Sequence, residues 1–235
     1  MLPALCIALA TRLATDGALR VNGVLPAALA ADVRTVALAA AVPGAQRQEV
    51  PLSLKSDAVA SAAAAVAASP VGRALEDLCG GDAPLFDLCA VISAPGAPIQ
   101  PLHSDLGFDG AEAAPLYTCF VALQDAPAAL GPTEFCLGSH TDAAAHSALR
   151  GGGNLDAVAF PLAAGAAVLF DPRIAHRGGP NSSNRRRAYL SMTFANPRGS
   201  APVIVPAPGD VLVSDGGISA DGGGVWTLRD LRNML

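Results

Sequence analysis

Between Arg187 and Phe194 polar and apolar residues alternate strictly. Arg187, Tyr189, Ser191 and Thr193 share one parity, and Ala188, Leu190, Met192 and Phe194 share the other. Successive side chains of a strand point to opposite faces, so this pattern predicts a two-faced strand. The polar face suits a cavity and the apolar face suits packing beneath helices. Short β-rich runs precede it at Phe86–Ser93, Leu116–Leu123 and Ala167–Phe170, separated by glycine and proline. Short strands with such breaks, running from about Leu85, predict an all-β sandwich or barrel.

Before Leu85 the pattern is helical. Leu29, Val33 and Val36 lie at helical spacing within Pro26–Ala41, with Pro26 suited to a first turn and Pro43-Gly44 ending the pattern. A second helix is predicted from near Ser56. A third runs from the cap pair Ser69-Pro70 to Gly80-Gly81. The opening run MLPALCIALA reads as the start of a helix. No positive charge precedes it, it has no clear cleavage site, and it is about half the length that spans a bilayer. These elements predict a single domain, with residues 1–84 as a helical cover integral to it and 85–235 as the β-core that carries the chemistry. Gly216-Gly217 and Gly222-Gly223-Gly224 read as surface turns.

Composition narrows the function. The chain is 51% hydrophobic and 15% charged with a net charge of −5, and Arg185-Arg186-Arg187 is its one basic block. No broad basic face exists for a nucleic-acid backbone, so no nucleic-acid partner is expected. No membrane partner is expected either, and the sequence sets no oligomeric state. Cys6, Cys79, Cys89, Cys119 and Cys136 are odd in number and form no C-x-x-C pair. Free buried thiols in a reducing compartment follow, which points to the cytoplasm.

Of the four histidines, His103, His140, His146 and His176, two sit in contexts that suggest ligands. In Pro101-Leu102-His103-Ser104-Asp105, an imidazole and a carboxylate two residues apart would share one face of a strand. Downstream, the apolar strand Ala166–Phe170 leads through Asp171-Pro172-Arg173-Ile174-Ala175 to His176. Two histidines and one carboxylate, with open positions left over, form the metal set of non-haem Fe(II) oxygenases. Arg187, on the polar parity of the last strand, suits a bidentate grip on a carboxylate. The same ligands also suit a zinc-dependent hydrolase on a cupin-like barrel, or a non-catalytic jelly-roll binding module. A second carboxylate anchor has no use in hydrolysis.

Several segments, in order, resemble the phytanoyl-CoA dioxygenase family of Fe(II)/2-oxoglutarate oxygenases. They are IQPLHSD (99–105), LYTCFVALQD (116–125), LGPTEFCLGSH (130–140), GAAVLFDPRIAHRGGPNSSNRRR (165–187) and the strand to Phe194. DGALRVNGVLPAALAADVR (16–34) resembles the family's opening strand and helix. The resemblance implies a double-stranded β-helix, or jelly roll, with the N-terminal helices packed on one sheet. It implies a dioxygenase that uses Fe(II), 2-oxoglutarate and O2, hydroxylates a small organic molecule, and releases succinate and CO2. His103, Asp105 and His176 match the family's iron ligands, and Arg187 matches the arginine that binds the far carboxylate of 2-oxoglutarate. Asn181 matches an asparagine after the last ligand. Thr118 or Tyr117, after the H-x-D, stands where a polar group assists the co-substrate. Gly178 departs from members with serine at that position, so that hydroxyl contact is missing or comes from Ser191. His140 and His146 fall outside the ligand set.

Overall fold

The computed structural model describes residues 4–107, 110–111, 113–199 and 225–235. The glycine turns near 216 and 222 lie outside them. Helix α1 (Ala4–Asp16) leads into strand β1 (Ala18–Val21) and helix α2 (Ala27–Ala40). Strand β2 (Arg47–Pro51) precedes helices α3 (Asp57–Ala68) and α4 (Pro70–Cys79). The β-rich part holds β3 (Leu85–Ser93), β4 (Leu116–Ala122) and β5 (Thr133–Phe135), then helix α5 (Ala143–Arg150). It continues through β6 (Val158–Ala159), β7 (Ala167–Phe170), β8 (His176–Gly178) and β9 (Arg187–Ala195). Helix α6 (Leu228–Arg232) closes the chain.

Local chemistry explains the helix ends. The Ser69 hydroxyl accepts a hydrogen bond from the Val71 N–H (3.1 Å), with Pro70 in the first turn of α4. Gly80, at φ 90°, takes the conformation that stops this helix. The alanines of α3 allow close approach. Ala62, Ala63, Ala64 and Ala67 are buried, and a side chain at Gly72 of α4 would collide with the Ala67 carbonyl. Helices α3 and α4 together are long and apolar enough to cross a membrane, but they bend 67° apart; among the described residues no single helix is.

Two antiparallel sheets face each other. The larger runs β1-β7-β4-β9-β3-β2 and the smaller β6-β5-β8. The helical third of the chain thus supplies both edge strands of the large sheet. Ala188, Leu190, Met192 and Phe194 of β9 pack in the core shared with α1–α4 and α6. Tyr189, of opposite parity, packs between the sheets with Phe135, Val168, Phe170 and Ile174. The fold is a double-stranded β-helix with helices on the outer face of its large sheet, and the chamber between the sheets holds the candidate site.

Candidate metal centre and co-substrate site

A backbone bridge brings two of the predicted ligands together. The His103 N–H donates to the His176 carbonyl (3.0 Å), and the His176 N–H donates to the His103 carbonyl (2.8 Å). Their ring centroids lie 4.5 Å apart. The Asp105 N–H donates to the Pro172 carbonyl (3.0 Å), which carries the carboxylate to the same place. One donor atom from each of His103, Asp105 and His176 lies within 4.8 Å of the others. Asp105 Oδ1 is 3.8 Å from His103 Nε2 and 3.6 Å from His176 Nε2. These separations are too long for hydrogen bonds and leave the donors facing a common point.

Both imidazoles are oriented from behind. His103 Nδ1 lies 3.0 Å from the Pro101 carbonyl, and His176 Nδ1 lies 3.0 Å from the Ile174 carbonyl. A carbonyl only accepts, so each Nδ1 carries the hydrogen and each Nε2 keeps its lone pair for a metal. Burial holds the His176 pKa below its ordinary 6.5, against the upward pull of Asp105; the neighbouring His103 lowers it further. The neutral ring this favours is the ligating form. The Asp105 side chain is 41% exposed, against 12% for His103 and 5% for His176, so the carboxylate stands at the mouth.

The loop before His176 is clamped on several sides. The Ala175 N–H donates to the Ser139 hydroxyl (2.8 Å), and the Cys136 N–H donates to the Ala175 carbonyl (2.8 Å). This is the work of the glycine-serine-histidine segment. Its His140 is turned away, with Nε2 3.1 Å from the Ala14 carbonyl. His146 is buried on α5, outside the triad. Asp171 and Arg173 form a buried pair at 2.7 Å that braces the turn holding Pro172. Phe135 stacks on His176 at 5.8 Å, and Phe170 lies 5.4 Å from it.

Arg187 begins β9 on the chamber face and is 2% exposed. Its Nη1 donates to the Gly131 carbonyl, and its Cζ lies 4.7 Å over the Tyr189 ring. Burial lowers its pKa from the ordinary guanidinium value, while Tyr189 acts in the opposite direction. Among the described residues no carboxylate pairs with it, and its buried Nε has no hydrogen-bond partner. An enclosed cation without a counter-charge calls for an anion. Asn181 ties the preceding loop, donating to the carbonyls of Arg185 (2.8 Å) and Ser93 (3.2 Å).

The two candidate assisting residues separate. Thr118 lies on the chamber face, its hydroxyl 2.9 Å from that of Thr193. Tyr117, on the opposite parity, lies in the helix-side core, where burial pushes its phenol up to about 12. It shares no chamber with the triad, because adjacent strand residues face opposite ways. Sequence reasoning missed Ser139, the Asp171–Arg173 pair, Ser93 and Arg47. Ser139, Asp171, Arg173 and Ser93 fall in segments that the sequence pattern singles out, and Arg47 does not.

The phytanoyl-CoA dioxygenase family model matches residues 13–189. The chain belongs to the phytanoyl-CoA dioxygenase family. As a member it is an enzyme dependent on non-haem Fe(II), 2-oxoglutarate and O2, rather than a zinc hydrolase or a binding module. No curated protein matches it by sequence. Solved structures share its fold. The non-haem α-ketoglutarate-dependent epimerase SnoN of nogalamycin biosynthesis is 22% identical, with 95% of this chain and 98% of that one covered and a TM-score of 0.65. HygX from Streptomyces hygroscopicus, with nickel and 2-oxoglutarate bound, is 14% identical over 90% of this chain and 100% of that one, with a TM-score of 0.66. The carbocyclase SnoK of nogalamycin biosynthesis is 18% identical over 88% and 93%, with a TM-score of 0.63.

Proposed function

We propose that His103, Asp105 and His176 hold the Fe(II), that Arg187 holds the distal carboxylate of 2-oxoglutarate, and that the enzyme hydroxylates a small organic molecule. The donor triangle carries this reading: two Nε2 atoms and one carboxylate oxygen share a point, and each ring is pinned through its Nδ1. The residues fit the metal, since two neutral imidazoles and one carboxylate leave coordination positions open. When bound, Fe(II) supplies the positions at which the keto acid and O2 react, and 2-oxoglutarate leaves as succinate and CO2.

The chain's own residues select and orient. Arg187 fixes the far end of the keto acid and so sets which end faces the triad. Phe135, Phe170 and Tyr189 wall the chamber and exclude water behind His176. Thr118 adds a hydroxyl to the chamber face. The partly exposed Asp105 marks the side from which substrate arrives. A small-molecule substrate is supported by solved relatives of this fold: SnoN holds nogalamycin RO and HygX holds hygromycin B. The pairing of β1 and β2 into the large sheet supports one domain spanning helices and β-core. The free, buried cysteines among the described residues support a reducing, cytoplasmic setting.

The test is anaerobic addition of Fe(II) and then 2-oxoglutarate to the purified protein. A weak visible charge-transfer band that needs both additions, and that is lost in Asp105→Ala and His176→Ala, supports the assignment. Asp105→Ala protein that still turns 2-oxoglutarate into succinate at the wild-type rate overturns it.

A further inference from the structure

At the end of the large sheet three side chains stand in a row on the chamber face. Arg47 of β2 pairs with Ser93 of β3, and Ser93 pairs with Arg187 of β9. Directly opposed residues share a face, so Ser93 lies between the two guanidiniums. It is fully buried, and its Oγ has no hydrogen-bond partner among the described residues. The neighbouring Nε of Arg187 is likewise buried and unpaired. Arg47 Nε is buried and unpaired as well, and unsatisfied donors in one row are costly to bury unless an acceptor reaches them.

Where other members of the family carry a hydroxyl at position 178, this chain has glycine. A Cβ built on Gly178 would collide with the Arg47 guanidinium and with Gln100 Oε1. Arg47 is held there by the carbonyls of Pro98 (2.5 Å) and Gly179 (2.8 Å). Gln100 Oε1 accepts from the Gly178 N–H (2.8 Å). Ser191 shares the parity of Arg187, but it lies four residues along the strand, about 13 Å away, with Tyr189 between. Ser93 is directly across from Arg187, at a Cα separation of about 5 Å.

We propose that Ser93 donates the second hydrogen bond to the distal carboxylate of 2-oxoglutarate, in place of the hydroxyl absent at Gly178. This rests on the reading of Arg187 as the carboxylate anchor. Ser93 Oγ–H and Arg187 Nε–H then meet the same carboxylate, and the unpaired state of both is explained by one ligand. Asn181 aligns the pair, because its side chain bonds the Ser93 carbonyl and the Arg185 carbonyl. Arg47 keeps its bonds to carbonyls and closes the subsite on the Gly178 side.

The experiment uses the full chain loaded with Mn(II), a redox-inert stand-in, without oxygen. 2-Oxoglutarate and oxalate are titrated by calorimetry into wild type, Ser93→Ala and Arg187→Lys. Oxalate chelates the metal but has no distal carboxylate. Ser93→Ala is expected to weaken 2-oxoglutarate binding on the order of tenfold. Its affinities for oxalate and Mn(II), and its melting temperature, stay at wild-type values. Wild-type affinity of Ser93→Ala for 2-oxoglutarate, or equal losses for both ligands, overturns the role of Ser93. Wild-type 2-oxoglutarate affinity in Arg187→Lys overturns the underlying assignment of Arg187 instead.

Discussion

Ser139→Ala removes one oxygen atom from a buried clamp and should be felt at the proposed metal site. The Ser139 hydroxyl accepts the Ala175 N–H at 2.8 Å, and both residues are buried. Alanine leaves that N–H without its acceptor in a place water does not reach. A buried donor left unsatisfied costs about 1–3 kcal/mol. For a chain of this size each kcal/mol moves Tm by about 2–4 °C, so a fall of about 5 °C is expected. Ala175 is the residue before His176, and its carbonyl is still held by Cys136. The backbone of the proposed ligand is then fixed on one side only. Losing an interaction that orients a ligand lowers metal affinity by about tenfold or more. Two assays are needed: thermal melting of the metal-free protein, and metal titration of the folded protein. Ser139→Thr keeps the hydroxyl and should recover most of the metal affinity. A Ser139→Ala protein with wild-type Tm and wild-type metal affinity would refute the clamp.

Arg173→Met leaves the Asp171 carboxylate buried without its partner, and should cost about 3–5 kcal/mol in denaturant unfolding; adding Asp171→Asn should return part of that loss. Phe135→Ala removes the ring that touches Phe160, Phe170 and His176, and should cost about 3–5 kcal/mol in the same assay. Burial holds His176 and His146 below the ordinary 6.5 in the folded state. The unfolded chain therefore binds more protons near that pH, and the metal-free protein should keep this part of its stability above about pH 6.5 and lose it as pH falls through the depressed values. A Tm that rises on acidification from about pH 7 to about pH 5 would contradict this. Arg187→Ala should weaken 2-oxoglutarate far more than Arg186→Ala, and a larger effect of Arg186→Ala would put the register of β9 one residue off.

The long elements were legible because their periodicity is strong. Strand β9 alternates through eight residues, and the structure sorts those residues onto the faces that the alternation predicts. Helix α4 was legible from its ends, since Ser69-Pro70 and Gly80 are backbone chemistry that sequence displays directly. The short strands were not. Within β2 only Val50 is buried, so RQEVP reads as a polar loop. Strand β8 has three residues, one of them the proposed ligand His176 and one a glycine, and it exists because β5 pairs with it. Pairing across the chain decides such segments, and no local pattern reports it.

The site divides in the same way. His103, Asp105, His176 and Arg187 could be named because their side-chain chemistry is rare in this chain and their order is distinctive. The residues that hold them bond mainly through backbone atoms, and sequence does not show those partners. Ala175 could be any residue that offers an N–H to Ser139, and Pro172 matters to Asp105 only for its carbonyl. Arg47 illustrates the limit best. It lies on an edge strand that the pattern did not mark, and its guanidinium fills the space over Gly178. A serine missing from an expected position looked like a lost contact. In the fold, the Arg47 guanidinium from another strand occupies that space, and Ser93 stands directly across from Arg187.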